Sequence, residues 1–110
     1  GRGVGPSPSP IRMTVAISFH EAAEIELTEA AGYYEHECSG LGVTFLDDVQ
    51  AALRTLAQFP EGSPLLRGRI RRKVLLRFPY TLMYSVRDGQ IRILAVAHAK
   101  RRPFYWHGRK

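Results

Sequence analysis

The side chains that could carry chemistry near the C-terminus are cationic or aromatic, and they include His98, Arg101 and Tyr105. Metal-free cleavage of RNA requires a base that activates the 2′-hydroxyl, cations that hold the phosphate and an acid for the leaving oxygen. The second half of the chain has no paired carboxylates. Such chemistry would therefore depend on Arg, Lys, His and Tyr side chains.

His98 is the most suitable acid–base candidate, because histidine titrates in the range that favours proton transfer. Histidines at the end of a strand, however, often donate a ring hydrogen to a backbone carbonyl and thereby fix a turn. We favour this structural interpretation. Tyr105 and Trp106 leave two interpretations open, namely stacking on a base or partner, and packing of the C-terminal tail against the sheet.

Charge divides the chain into two unlike halves. Residues 1–66 carry three basic and nine acidic side chains, a net charge of −6, whereas residues 67–110 carry thirteen basic and one acidic side chain, a net charge of +12. A cationic half on so small a domain would attract a polyanion, such as nucleic acid, the ribosome or an acidic protein segment. The alternative is a solvated basic surface.

The basic side chains form two groups that could join into one surface. They are Arg71, Arg72, Lys73 and Arg77, together with Lys100, Arg101, Arg102, Arg109 and Lys110. Arginine predominates, which suits bidentate contacts to carboxylate or phosphate. His36 and Cys38 are too isolated to indicate a metal site, so neither a metal nor another cofactor is expected.

The length of 110 residues indicates one domain. Residues 1–12 are dominated by Gly, Pro and Ser and are predicted to be a flexible leader, which leaves residues 13–110 as the domain. No apolar run approaches the roughly 20 residues that a membrane span needs, and the N-terminus lacks the apolar core of a secretory signal. With Cys38 as the only cysteine, the sequence favours a reducing, cytoplasmic location.

The predicted elements, in chain order, are a β-prone run over residues 14–19, helices over 21–38 and 41–59, and strands over 70–77, 80–86 and 91–98. Ser18 and Glu21 have the spacing of a capping box, so the first helix should begin near His20. Residues 61–68 are predicted to form a loop. The fold class is therefore α+β, with an N-terminal strand, a helical hairpin and a three-stranded antiparallel sheet that carries both helices on one face.

Apolar spacing predicts the buried faces. The stripe on the first helix is Ala23, Leu27, Ala30, Tyr34 and Cys38, with Glu26 among the glutamates on other faces. The stripe on the second helix is Leu41, Phe45, Val49, Ala52, Leu56 and Phe59. On the strand over residues 70–77, Val74 and Leu76 are predicted to share one face, with Arg71, Lys73 and Arg77 mostly on the other.

Two segments resemble a known family. The strand FPYTLMY over residues 78–84, the segment ILAVAHAKRRPFYW over residues 93–106 and the basic tail through Arg109 are similar to the signature of the RelE/ParE toxin superfamily of type II toxin–antitoxin and plasmid stabilisation systems. The first helix and the GLGVTFLDDV segment over residues 40–49 also match. The resemblance implies a compact bacterial toxin neutralised by a small cognate antitoxin. The division of charge predicts that the antitoxin binds the basic half, through an acidic or amphipathic segment.

Two activities occur in this superfamily, and fold does not separate them. RelE-like members are metal-free endoribonucleases that cut messenger RNA in the ribosome, whereas ParE-like members poison DNA gyrase. Arg72 and Val74 stand where the ribonuclease pattern has two lysines, and Thr81 stands where it has arginine. Only Arg101 matches, with Tyr105 as a nearby phenol. These departures favour the ParE-like branch, with the ribonuclease as the alternative and a non-toxic nucleic-acid-binding module as a more distant one.

The candidate site residues follow from the resemblance and the charge pattern. A ribonuclease would draw its catalytic groups from Arg72, Arg77, His98, Arg101 and Tyr105. Binding of the target or the antitoxin is assigned to Arg71, Arg72, Lys73, Arg77, Arg101, Arg102, Tyr105 and Trp106.

Overall fold

The computed structural model describes residues 15–110, and the predicted leader over residues 1–12 lies outside them. The described elements, in chain order, are β1 (Ile17–Phe19), α1 (Glu21–Glu37), α2 (Leu41–Gln58), β2 (Leu65–Arg67), β3 (Ile70–Val74), β4 (Tyr80–Arg87) and β5 (Gln90–His98). The strands form one sheet in the order β1-β5-β4-β3-β2, in which β1 runs parallel to β5 and the other neighbours are antiparallel. The α+β class is confirmed, but the sheet has five strands instead of three.

The additional strands are the two short ones at the sheet edges. β2 lies within the predicted loop over residues 61–68, and its three residues stand between Pro64 and Gly68. So short a run carries no periodic signal. β1 was expected as a strand, and it extends the sheet by pairing Ile17 with Ile91 and Phe19 with Ile93.

The faces predicted for β3 are wrong. Lys73 pairs with Leu82, and Arg71 pairs with Tyr84, which places both basic residues on the face that the helices cover. Val74 is 57% exposed and Leu76, beyond the end of the strand, is 86% exposed. Long basic side chains can occupy the covered face near an edge because their stems pack while their charged ends reach solvent or carbonyl groups. Arg71 does so by donating to the carbonyl oxygens of Glu61 and Ser63 at 3.1 and 2.7 Å.

The helical hairpin depends on two glycines with different roles. Gly40 has a left-handed backbone, φ 89°, and its amide donates to the Glu35 carboxylate. Gly42 is buried, and a Cβ there would lie 2.6 Å from the carbonyl oxygen of Ala31 in the opposite helix. The first glycine therefore permits the turn between the helices, and the second permits their close approach.

The first helix is capped by a residue other than the predicted one. His20 is the N-cap, and its Nδ1 accepts a hydrogen bond of 3.0 Å from the Ala22 amide. Ser18 belongs to β1, so the predicted capping box does not form. The short strand thus passes into the helix without an intervening loop.

The core lies between the helices and one face of the sheet. Phe45, Leu56, Leu82, Tyr84 and Ile93 are fully buried there. Phe78 and Tyr80 of the FPYTLMY segment stack with Tyr34 and Phe45, the ring centroids lying 4.8 to 6.1 Å apart. This part of the signature therefore holds the helices on the sheet. Two predicted stripe members are outside the core, because Phe59 is 62% exposed and Cys38 is exposed.

A β-bulge in β5 shapes the other face of the sheet. Met83 pairs with Ala95 and Tyr84 with Ile93, so Leu94 is an extra residue in β5. The register places Arg72, Val74, Thr81, Met83 and Ala97 on the face opposite the helices. We call this the open face. Part of it is covered by the C-terminal tail, residues 99–110.

Candidate functional site: two cationic clefts beside the C-terminal tail

The C-terminal tail is fixed on the open face although it contains neither helix nor strand. Trp106 is 2% exposed and is the largest buried side chain of the tail. On one side of it, the Arg67 guanidinium stacks over the Phe104 ring, 4.7 Å from the centroid. On the other side, Arg109 binds Glu26 of α1. The tail is thus attached to β2 at one end and to α1 at the other.

The contact between Arg109 and Glu26 also completes the edge of β5. β1 pairs with β5 only at residues 91–93. Beyond that point, Glu26 accepts a hydrogen bond of 2.9 Å from the Val96 amide, and Arg109 donates one of 3.0 Å to the Leu94 carbonyl. Buried backbone groups need partners, so this ion pair replaces the strand that β1 does not provide.

Tyr105 lies between two guanidinium groups. The Arg101 guanidinium is 3.7 Å and that of Arg109 is 5.2 Å from its ring centroid. The phenolic oxygen is buried and makes no hydrogen bond of good geometry within residues 15–110. Burial, followed by the neighbouring Glu26 carboxylate, raises the pKa of Tyr105 well above its usual range, although both guanidinium groups oppose the shift. The phenol therefore stays protonated at neutral pH and is poorly suited to act as a base.

His98 is held in a turn, as the favoured interpretation predicts. Its Nδ1 accepts a hydrogen bond of 3.0 Å from the Lys100 amide, and its carbonyl accepts one from the Arg101 amide. Its ring also makes an edge contact with Tyr80, with centroids 5.0 Å apart. The histidine accepts from a backbone amide instead of donating to a carbonyl, but the structural role is the predicted one.

A cleft of about 300 Å³ opens between the tail and the open face. Its cationic and titratable lining consists of Arg72, His98, Arg101, Arg102 and Tyr105, and no Asp or Glu in the described part of the chain, residues 15–110, lines it. We call it the tyrosine cleft. It can hold an anion, but its phenol is a poor base and one nitrogen of its histidine is occupied. The arrangement is therefore better suited to binding than to proton transfer.

The remaining predicted site residues lie elsewhere. Arg71 and Lys73 are on the helix-covered face, so the basic run of β3 is divided between two faces and does not form one continuous surface. Arg77 lies beyond β3, in the loop before β4, where its amide donates to the buried carboxylate of Asp48. Trp106 is buried and packs the tail, so its ring is not available to stack on a partner.

Glu26 and Phe104 are site residues that sequence reasoning missed. Glu26 is predicted to lie on a face other than the apolar stripe, yet it stands three residues after Ala23 and four before Ala30, both buried. A carboxylate at that helical spacing is a detectable signal. No comparable signal marks Phe104, because its contact with Arg67 depends on how the tail folds back over the sheet.

The fold and its clefts define a small α+β domain whose open sheet face is cationic. A family model described as ParE toxin of type II toxin-antitoxin system, parDE, matches residues 17–103, and the chain belongs to this family. A solved structure described as a chromosomal ParDE TA system from P. aeruginosa has a similar fold, with a TM-score of 0.69 and 17% identity. The similarity covers 81% of this chain and 100% of that one. A search of curated proteins finds no match.

These findings confirm the resemblance to the RelE/ParE superfamily and its ParE-like branch, and the chain is a toxin of the type II class. Within residues 15–110, neither helix has the length and apolar character of a membrane span. No group of three His, Cys, Asp or Glu side chains with metal-binding geometry occurs among the same residues.

Proposed function

We propose that this toxin acts on DNA gyrase and that a cognate antitoxin neutralises it. One observation carries the choice of target. Val74 and Thr81, which stand where the ribonuclease pattern has cations, are paired directly across β3 and β4 on the open face. The open face therefore has a neutral patch where a ribonuclease would hold the scissile phosphate. A protein that poisons another enzyme by binding does not need these cations.

The test in cells is to induce the toxin and to measure two products. Gyrase-linked DNA breaks should accumulate before any fragments of messenger RNA appear. Arg101→Ala should reduce the breaks because it removes a cation from the tyrosine cleft, while Arg54→Ala, on the exposed side of α2, should not. Early messenger fragments without DNA breaks would refute the gyrase proposal.

The alternative is the RelE-like ribonuclease, and one observation favours it. The structure brings Arg72, Arg101 and Tyr105 together in one cleft although Arg72 is far from the others in sequence. In that case Tyr105 would have to transfer a proton, so Tyr105→Phe would abolish toxicity. Under the gyrase proposal the ring alone is needed, because it supports Arg101, and the variant would remain toxic.

Neutralisation is proposed to occur on the open face, through an acidic or amphipathic segment of the antitoxin. The support is the charge of the tyrosine cleft, whose lining among the described residues includes three arginines and no Asp or Glu. Complementary charge accelerates association, and salt screens it. Association should therefore slow as salt increases. It should also be weakened by the charge reversals Arg72→Glu, Arg101→Glu and Arg102→Glu.

The matched controls for this test are charge reversals on α1. Glu24 and Glu29 are exposed, and their exchange for Lys should leave antitoxin association unchanged. Glu26 is not a suitable control because it binds Arg109 and the Val96 amide. Arg71 and Arg77 are unsuitable as reversal sites since neither lines the tyrosine cleft. If the association rate changed neither with salt nor with the arginine reversals, this surface would be excluded as the antitoxin site.

A further inference from the structure

A second cleft lies at the other end of the open face, and we call it the arginine cleft. It encloses about 620 Å³ between the turn from β2 to β3, the strands β4 and β5, and the end of the tail. Its basic lining includes Arg67, Arg69, Arg87, Arg92 and Lys110, and no Asp or Glu side chain of residues 15–110 lines it. A concave cationic surface of this kind concentrates polyanions.

Most of this charge is not neutralised by Asp or Glu side chains of residues 15–110. The only salt bridge within residues 15–110 is the one between Arg109 and Glu26, which leaves Arg69 and Arg87 without a carboxylate partner in that part of the chain. Both are exposed. Arg92 is fixed in place, because it donates to the Ser18 hydroxyl at 3.2 Å, to the Phe19 carbonyl at 3.1 Å and to a main-chain oxygen of Lys110 at 3.3 Å. The cleft thus combines an immobilised guanidinium with others that are available to a ligand.

The burial pattern distinguishes between two kinds of anionic ligand. The apolar lining residues Ile70 and Val86 are half-buried, and Leu94 is 2% exposed. The wall of the cleft has apolar as well as polar surface, but among its apolar side chains within residues 15–110 only Ile70 and Val86 are accessible as anchors, beside the guanidinium groups of Arg67, Arg69 and Arg87. An amphipathic peptide depends on such anchors, whereas a phosphodiester backbone is recognised by charge and by the arginine fork.

We propose that the arginine cleft binds the phosphodiester backbone of nucleic acid. This goes beyond the proposed function, because it concerns nucleic acid bound by the isolated toxin whether or not gyrase is the target. It also differs from catalysis in the tyrosine cleft, since it requires no proton transfer. The two clefts lie on either side of the tail, so each can be altered separately.

The experiment measures fluorescence anisotropy of labelled 20-nucleotide probes with the purified full chain. Single-stranded DNA, duplex DNA and RNA of one sequence form separate arms, which identify the source of the backbone. The test variant is Arg69→Ala with Arg87→Ala. The charge-matched control is Arg54→Ala with Lys100→Ala, two exposed basic residues outside both clefts. Thermal unfolding checks that all variants remain folded.

The test variant should lose about tenfold or more in affinity for at least one probe. For duplex DNA, the slope of log K against the logarithm of the salt concentration should be shallower by about two than that of the wild type, since two phosphate contacts are removed. The control should change affinity less than threefold. Equal losses in the test and control variants would show non-specific attraction and overturn the inference. It would also be overturned if a poly-glutamate peptide of equal charge displaced each probe at a lower concentration than unlabelled probe does.

Discussion

Arg109 and Glu26 are joined by two hydrogen bonds of 3.1 Å, one to each carboxylate oxygen, although 83 positions separate them in the sequence. The side chains are only 18% and 12% exposed. Because Glu26 also accepts from the Val96 amide, this pair connects the tail, α1 and β5 at one point. The position of the tail over the two clefts therefore depends on it.

Removing one partner of this pair should destabilise the domain. Glu26→Ala leaves a guanidinium and a backbone amide without their acceptor, and we expect a loss of about 3 kcal/mol in the free energy of unfolding. Urea unfolding at pH 7 measures it. The control is Glu29→Ala, an exposed glutamate of the same helix, with a change within about 0.5 kcal/mol. A loss below about 1 kcal/mol for Glu26→Ala would mean that the pair contributes little net stability.

Tyr105→Phe should stabilise the domain slightly. The change removes a buried hydroxyl that makes no well-formed hydrogen bond and keeps the ring between Arg101 and Arg109, so a gain of about 0.5–1 kcal/mol is expected. Tyr105→Ala should instead be destabilising, since the ring is lost. A destabilising Tyr105→Phe would show that the phenol has a hydrogen-bonding role after all.

The difference in stability between the wild type and Tyr105→Phe should depend on pH. The folded pKa of Tyr105 is raised above the unfolded value, so the neutral phenol is favoured in the folded state. Ionisation of Tyr105 therefore does not lower the free energy of unfolding below the unfolded pKa of about 10. As the pH rises through and above that value, the folded state loses stability. The stability difference between wild type and Tyr105→Phe should be constant from pH 6 to 9. It should then shift toward the phenylalanine variant above pH 10, and a difference that stayed constant to pH 11 would argue against the shift.

Gly42 of α2 and Gly32 of α1 offer a matched test of the contact between the two helices. Gly42→Ala places a methyl group 2.6 Å from the Ala31 carbonyl oxygen, and we expect a loss of about 2 kcal/mol or more because backbone must move. Gly32→Ala, in the exposed interior of α1 with nothing within 4 Å, should gain about 0.5–1 kcal/mol from helix propensity. Equal effects of the two substitutions on thermal unfolding would contradict this account of helix contact.

Leu82 on β4 and Leu76, just after β3, offer a matched test of burial. Leu82→Ala should cost about 2–5 kcal/mol because Leu82 is fully buried in the core. Leu76→Ala should change the free energy of unfolding by less than about 0.5 kcal/mol, since its side chain is 86% exposed. Denaturant unfolding with an unchanged slope would establish both values, and similar losses at the two positions would show that the burial has been misassigned.

The sequence predicts the fold better than the site, and particular residues explain why. Alternation along residues 80–86 and the Asp88-Gly89 turn are local signals, and both are present in the structure. Charge alone predicts that Arg71 and Arg72 could contribute to one basic surface, but alternation along a strand places adjacent side chains on opposite faces. The contact of Arg109 with Glu26 joins a tail without regular structure to a helix, and no local pattern predicts such a pairing.

The proposed poisoning of DNA gyrase is tested most directly by an assay with purified components. Toxin is mixed with gyrase, ATP and supercoiled plasmid, and linear DNA is measured after the enzyme is denatured and digested. A parallel reaction with ribosomes programmed with messenger RNA measures cleavage of the message. We predict that linear DNA accumulates in proportion to the toxin, that Arg101→Ala reduces it and Arg54→Ala does not, and that the message stays intact. Cut messenger RNA with no linear DNA would contradict the claim.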